Sequence, residues 1–216
     1  MRYYKLHNRQ GVRYLAMLKE RIIAIGASTG GVEALEQIFA EFPANIPPVV
    51  VVIHMPVGFT KLFATRLDSA MTVTIKEASN GDVLQKGVVL IAPAGKHMRV
   101  VSKLGKYQVE CFDGPKVQSV IPSADVLFQS IANEPGLKSV GVILTGLGAD
   151  GAAGLLQMRN NGAETIGQDK ATCAVYGMPK VAYERGAVTY QLPLNQIPEK
   201  ILTLTAVTTR VHRREW

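Results

Sequence analysis

After Pro48 the chain reads Val49-Val50-Val51-Val52-Ile53, five β-branched residues in a row with no polar alternation. Branched side chains favour extended backbone, and a strand with no polar face must be buried on both sides. A sheet covered on both faces by helices meets that demand, so the run predicts a central strand of a parallel sheet. Two more apolar runs, Ile22-Ile23-Ala24-Ile25 and Val140-Gly141-Val142-Ile143-Leu144, read the same way. Extending this along the chain places strands at 22–26, 49–53, 72–77, 88–92, 98–103, 107–112, 140–145, 164–168 and 187–191. Helices are expected at 31–41, 58–68, 124–133, 151–161, 177–185 and 195–205. Their alternation predicts an α/β fold, a doubly wound, mostly parallel sheet in three Rossmann-like layers. The segments 98–103 and 107–112 face each other across Leu104-Gly105-Lys106, which predicts an antiparallel hairpin.

Ligands of such sheets bind at the carboxyl ends of strands, and three of those ends carry reactive residues. The first strand runs into Gly26-Ala27-Ser28-Thr29-Gly30-Gly31, which fits the G-x-S-x-G elbow that lifts a serine hydroxyl above the sheet. The flanking glycines keep the turn clear, one of them in the left-handed region, and the next helix aims its first amides at whatever Ser28 meets. A loop of this kind also cradles phosphate, with Ser28 as a cap or ligand. The chain has neither a complete G-x-G-x-x-G nor a G-x-x-x-x-G-K-[ST] sequence, which argues against a dinucleotide or P-loop site. The second strand ends in His54, a residue type suited to activating a serine. The third is followed by Gly146-Leu147-Gly148-Ala149-Asp150-Gly151. Asp150 has two readings there, a cap for the helix beginning at Ala152 or an acid that orients the His54 imidazole. His7 and His212 lie in the tails, and His97, between strand-like runs, is a weaker candidate base.

The formal charge of +7 is confined to the ends of the chain. Residues 1–21 hold six basic groups against one acidic, residues 210–216 three against one, and the rest of the chain carries fifteen of each. A neutral domain between basic tails argues against a nucleic-acid-binding surface. The expected organisation is a basic tail or linker at 1–21, one domain at 22–205 and a basic tail at 206–216. Aromatic and leucine residues within Met1–Leu18 are compatible with a short amphipathic helix. Cys111 and Cys173 have no disulfide or metal-ligand spacing and read as reduced thiols. No apolar run approaches the length of a membrane span. A cytoplasmic protein with no membrane insertion, no metal and no cofactor is expected.

With these segments in view, the chain resembles the catalytic domain of the chemotaxis protein-glutamate methylesterases, the CheB family. The resemblance rests on Ile-Gly-Ala-Ser-Thr-Gly-Gly at 25–31, His-Met-Pro-x-Gly-Phe-Thr at 54–60 and Ile-Ala-Pro-Ala-Gly-Lys-His-Met at 91–98. It continues through Pro-Ser-x-Asp-Val-Leu-Phe at 122–128, Gly-Val-Ile-Leu-Thr-Gly-x-Gly-x-Asp-Gly at 141–151 and Gly-Met-Pro at 177–179. The resemblance implies hydrolysis of glutamyl methyl esters on the cytoplasmic helices of methyl-accepting chemoreceptors, with deamidation of receptor glutamines in some members. It implies Ser28 as nucleophile, His54 as base and Asp150 as its partner. Thr29 and Gly30, joined by Leu147 and Gly148, are the expected oxyanion and substrate-binding positions. The chain departs from the family pattern at Leu147, Ala149, Ile121 and Val57. Members of the family usually begin with a regulatory receiver domain, and the twenty or so residues before Ile22 are too few for one. The expectation is therefore a catalytic domain without its receiver. Two alternatives stand beside it: a serine esterase or amidase of the same fold with another substrate, and a non-catalytic module holding phosphate or peptide.

Overall fold

The computed structural model of the protein describes residues 21–205 and the backbone of two short strands before them. In chain order the elements are β1 (Lys5–Leu6), β2 (Arg13–Tyr14), β3 (Arg21–Ala27), α1 (Gly31–Ala40), β4 (Val49–Ile53), α2 (Phe59–Asp68), β5 (Thr74–Glu77) and β6 (Val88–Ile91). They continue as β7 (His97–Lys103), β8 (Lys106–Phe112), α3 (Ala124–Ala132), β9 (Lys138–Ile143), α4 (Ala152–Asn160), β10 (Glu164–Gln168), α5 (Met178–Glu184), β11 (Tyr190–Leu192) and α6 (Ile197–Thr205), the last preceded by a 3₁₀ turn at Leu194–Gln196.

Seven strands form one sheet in the order β11-β10-β9-β3-β4-β6-β5, and every neighbouring pair is parallel. The three apolar runs are the three central strands, and their alternate side chains feed two cores. Ile23, Ile25, Val49, Val51, Val140 and Val142 face a layer built from α1, α2 and α6. Ile22, Ala24, Val50, Val52 and Ile143 face Phe128 of α3, Leu155 and Met158 of α4 and Met178 of α5. This two-sided burial is why the strands carry no polar face. The expected hairpin is present, but β7 and β8 form a separate two-stranded sheet rather than extending the main one. Met98, Val100 and Val109 pack into the second core, and the Val100 N–H donates to Ser130 Oγ of α3 at 2.9 Å.

Two expected strands start later than the sequence indicated. Val73 is a core residue ahead of β5, which starts at Thr74. Ala187 and Val188 are buried too, but the Ala187 N–H bonds back to the Ala182 carbonyl and closes α5, so β11 starts only at Tyr190. Within Met1–Leu18, Lys5 pairs with Tyr14 and Leu6 with Arg13 as antiparallel strands, not as the helix suggested by composition. The rest of that tail, and the tail 206–216, lie outside the described residues.

From β3 the chain runs outward through β4 to the β5–β6 edge, then returns to β9 on the other side of β3 and runs outward to β11. The direction of winding reverses between β3 and β9, the place where open α/β sheets leave a crevice for ligands.

Candidate active site

The carboxyl end of β3 is tied to both neighbouring strands. The Ser28 N–H donates to the Thr145 carbonyl (3.0 Å), the Leu144 N–H to the Gly26 carbonyl (2.9 Å) and the His54 N–H to the Ala27 carbonyl (3.1 Å). Ser28, His54 and the loop after β9 are thus fixed at one edge of the sheet by backbone alone. Gly30 turns the chain into α1 with φ +78°, a left-handed conformation that favours glycine. A β-carbon at Gly30 would stand 2.5 Å from Ala174 Cβ. The Gly31 N–H is taken by the Ser28 carbonyl at 2.7 Å. Among the described residues the amides of Thr29 and Gly30 have no acceptor, and the Ser28 hydroxyl has no hydrogen-bond partner. Thr145 steadies the turn: its buried hydroxyl donates to the Thr29 carbonyl (2.9 Å) and accepts from the Val175 N–H (3.0 Å). Buried Gln168 accepts from the Thr145 N–H at 2.8 Å.

His54 Nε2 lies 2.9 Å from Asp150 Oδ2. Asp150, 2 % exposed, is the most heavily bonded side chain of the site. Its Oδ2 also accepts from the Ala124 N–H (2.6 Å), and its Oδ1 accepts from Ser123 Oγ (2.6 Å) and the Asp125 N–H (3.1 Å). Burial acts to raise the Asp150 pKa, but the bonds from His54, Ser123, Ala124 and Asp125 outweigh it and hold the carboxyl below its ordinary value. Asp150 therefore stays ionised beside His54. Nε2 then carries the imidazole proton toward the carboxylate and Nδ1 keeps a free lone pair.

The helix-cap reading of Asp150 needs a correction. α4 starts after Gly151 with no side-chain cap, and Asp150 instead caps α3, the helix across from its own. The favour is returned: Asp125, in the first turn of α3, accepts from the Gly154 N–H of α4 at 2.7 Å. The exchange needs the two helices close together, and a β-carbon at Gly154 would sit 2.8 Å from the Asp125 carbonyl oxygen. Burial pushes the Asp125 carboxyl above its ordinary value.

Leu147 and Gly148 lie exposed in the loop after β9, which starts beside Ser28: a β-carbon on Gly146 would be 2.6 Å from Ser28 Cβ. His97 is buried behind Ser123 and away from Ser28's turn, with Nδ1 accepting from the Ser123 N–H (3.2 Å). Sequence reasoning did not single out Ser123, Asp125, Thr145 or Gln168 as site residues. The one available signal was that Ser123 and Asp125 occur in a helix-start pattern whose partner segment lies elsewhere in the chain. Burial pushes the Cys111 and Cys173 thiols up to about 11, so neither is a nucleophile near neutrality. No helix among the described residues is long and apolar enough to cross a membrane.

Comparison with known proteins agrees with this fold. The family model described as CheB methylesterase matches residues 23–201. A protein-glutamate methylesterase/protein-glutamine glutaminase 2 of Syntrophomonas wolfei is 55% identical over 183 residues, covering 85% of this chain and 54% of its own. A protein-glutamate methylesterase/protein-glutamine glutaminase of Syntrophotalea carbinolica is 50% identical over 192 residues, covering 89% and 54%. The chain thus spans about half the length of the curated relatives it matches. The crystal structure of the Thermotoga maritima CheB methylesterase catalytic domain superimposes with a TM-score of 0.82 at 42% identity, covering 85% of this chain and 97% of that one.

Proposed function

The chain belongs to the CheB methylesterase family, and from that membership we propose that residues 22–205 form a serine hydrolase for glutamyl methyl esters of chemoreceptor cytoplasmic helices. The observation that carries the chemistry is the buried, ionised Asp150 bonded to His54 at the strand end next to Ser28. In this reading Ser28 Oγ attacks the ester carbonyl carbon while His54 Nδ1 takes the hydroxyl proton. Asp150 holds the imidazole in the tautomer that leaves Nδ1 free and offsets the charge of the imidazolium. The carbonyl oxygen becomes an oxyanion facing the Thr29 and Gly30 amides, with Leu147 and Gly148 flanking the bound ester. Each such donor is worth about 3 kcal/mol in comparable sites. Collapse breaks the bond to methoxide, which leaves as methanol with the proton from His54. Water then attacks the acyl-enzyme, giving its proton to His54, and Ser28 recovers that proton as the glutamate side chain is released. The same steps with a glutamine side chain release ammonia, the second activity in the names of the relatives.

The test is methanol release from methylated chemoreceptor cytoplasmic fragments, wild type beside Ser28→Ala. Release by the wild type that falls by at least about a thousandfold in the variant is expected. Equal release from both would overturn the nucleophile. A second reading, an esterase or amidase for a different substrate, draws on Leu147, which is 72% exposed in the loop beside Ser28 and departs from the family pattern. A panel of other esters and amides separates the two.

A further inference from the structure

Two segments take no direct part in the chemistry above: Pro122-Ser123-Ala124-Asp125 and the stretch ending in His97. They meet behind Asp150, where the His97 ring reaches the main chain of Ser123. A serine before a helix ordinarily turns its oxygen onto the amides of the first turn. Ser123 makes that contact only at 3.4 Å, to the Val126 N–H. Its short bond points the other way, from Oγ to Asp150 Oδ1 at 2.6 Å, a length typical of a hydroxyl donating to a carboxylate. The first two amides of α3 go to Asp150.

Ser123 is itself held from behind. Its N–H donates to His97 Nδ1 at 3.2 Å, which puts the ring proton on Nε2, and Nε2 donates to the Pro115 carbonyl at 2.9 Å. Ser123 is fully buried and His97 is 2 % exposed, its ring 5.7 Å from that of Phe112. Contacts thus run from His97 in the interior to the main chain of Ser123, and from the Ser123 hydroxyl through Asp150 to His54 at the strand end beside Ser28. Rotation of a carboxylate about its last bond is soft, and the Ser123 hydroxyl adds to the Ala124 and Asp125 amides and to His54 in fixing its plane. Besides His54, Ser123 supplies the one side-chain donor to Asp150 among the described residues.

We propose that Ser123 is a positioning residue of this site: its buried hydroxyl, on a main chain held by His97, pins one oxygen of Asp150 so that the other meets His54. The proposal rests on the hydrolase reading, because Ser123 acts only through Asp150 and His54.

The experiment is a double-mutant cycle. Ser123→Ala, Ser123→Cys and Ser123→Thr are each made in the wild-type and Asp150→Asn backgrounds, and a melting curve checks each fold. Two rates are read: methanol release from methylated receptor fragments, as kcat and KM, and covalent labelling of Ser28 by a fluorophosphonate, which does not depend on the natural substrate. A cysteine keeps the side-chain shape with a larger atom at its tip, and it donates weakly. Ser123→Ala and Ser123→Cys are expected to lower kcat and the labelling rate about tenfold with KM unchanged, the size of one charge-assisted bond. Ser123→Thr should stay within about threefold of wild type, and in the Asp150→Asn background all three should change the rate less than about twofold. Ser123→Cys at the wild-type rate, or equal losses in both backgrounds, overturns the proposal; if Ser123→Ala fails to fold, the cysteine carries the test. Labelling without methanol release in the wild type overturns the substrate reading and leaves the Ser123 comparison standing on labelling rates. A wild type that does not label overturns the hydrolase reading and this proposal with it.

Discussion

Two helices begin at the site, and their N-termini are finished in opposite ways. α1 starts after a left-handed Gly30 with no side-chain cap, and the amides of Thr29 and Gly30 are without acceptors among the described residues. α3 starts after Ser123 with its first two amides already bonded to the Asp150 carboxylate. Both ends carry the partial positive charge of a helix N-terminus. The open end suits a negative charge that exists only during reaction, when an oxyanion forms over Ser28. The filled end holds a permanent charge and, after the bonds from His54 and Ser123, helps keep Asp150 ionised although it is buried. One structural element, used empty and used full, thus serves the two anions that the proposed chemistry needs.

Emptying the filled end gives the largest expected effect. In Asp150→Asn an amide NH₂ replaces one carboxylate oxygen, and both oxygens face donors: His54 and Ala124 N–H on one, Ser123 and Asp125 N–H on the other. At least one contact becomes donor against donor. Turnover should fall about ten-thousandfold through the wrong imidazole tautomer, with a loss of about 2 kcal/mol in stability. Methanol release and urea unfolding measure the two. A rate close to wild type would reduce Asp150 to a cap for α3.

Filling the open end comes next. Gly30→Ala must hold an alanine at φ +78° with its Cβ against Ala174. The left-handed conformation alone costs about 1–2 kcal/mol. Relief of the contact moves the turn that carries the Thr29 and Gly30 amides, so kcat should drop about a hundredfold, the cost of one misplaced oxyanion donor. If the variant is destabilised but turns over normally, those amides do not hold the oxyanion.

The open end was legible in the sequence and the filled end was not. Ser28 and His54 each follow an apolar run directly, so the strand that delivers them is written in the residues just before them. The glycines of the first turn announced its geometry, and Gly30 has the positive φ expected of one of them. Asp150 was legible as a residue but not in its bonding, because its cap partners lie 25 to 27 positions away. A local reading assigns a carboxylate to the helix that follows it, and here two neighbouring helices exchange their caps. The burial of His97 between Ser123 and Pro115 was hidden for the same reason, its partners lying 18 and 26 positions away. The fold was readable because two-sided burial marks each central strand locally. Strand limits failed where apolar residues are buried by packing rather than by pairing, as at Val73 and at Ala187 and Val188.

The exchanged caps predict the smallest and most discriminating effect, on stability against pH. Asp150 has its folded pKa lowered, so it contributes stability above its unfolded pKa and loses that contribution as pH falls through the folded value. Asp125 has its pKa raised, first by burial and then by the nearby charge of Asp150, so its ionised form costs stability near neutrality and that cost disappears on acidification. Against Asp150→Asn, the wild type should therefore be more stable at neutral pH by a margin that shrinks as acid is added. Against Asp125→Asn, the wild type should gain in relative stability over the same titration, because the amide of that variant keeps an acceptor for the Gly154 N–H and has no charge to relieve. Urea unfolding of the three proteins from neutral pH down through the carboxylate range gives two difference curves. Opposite slopes fit one carboxylate stabilised by its donors and one tolerated despite burial. Slopes of the same sign would mean that the two caps titrate as a single unit, and the distinction between them would have to be abandoned.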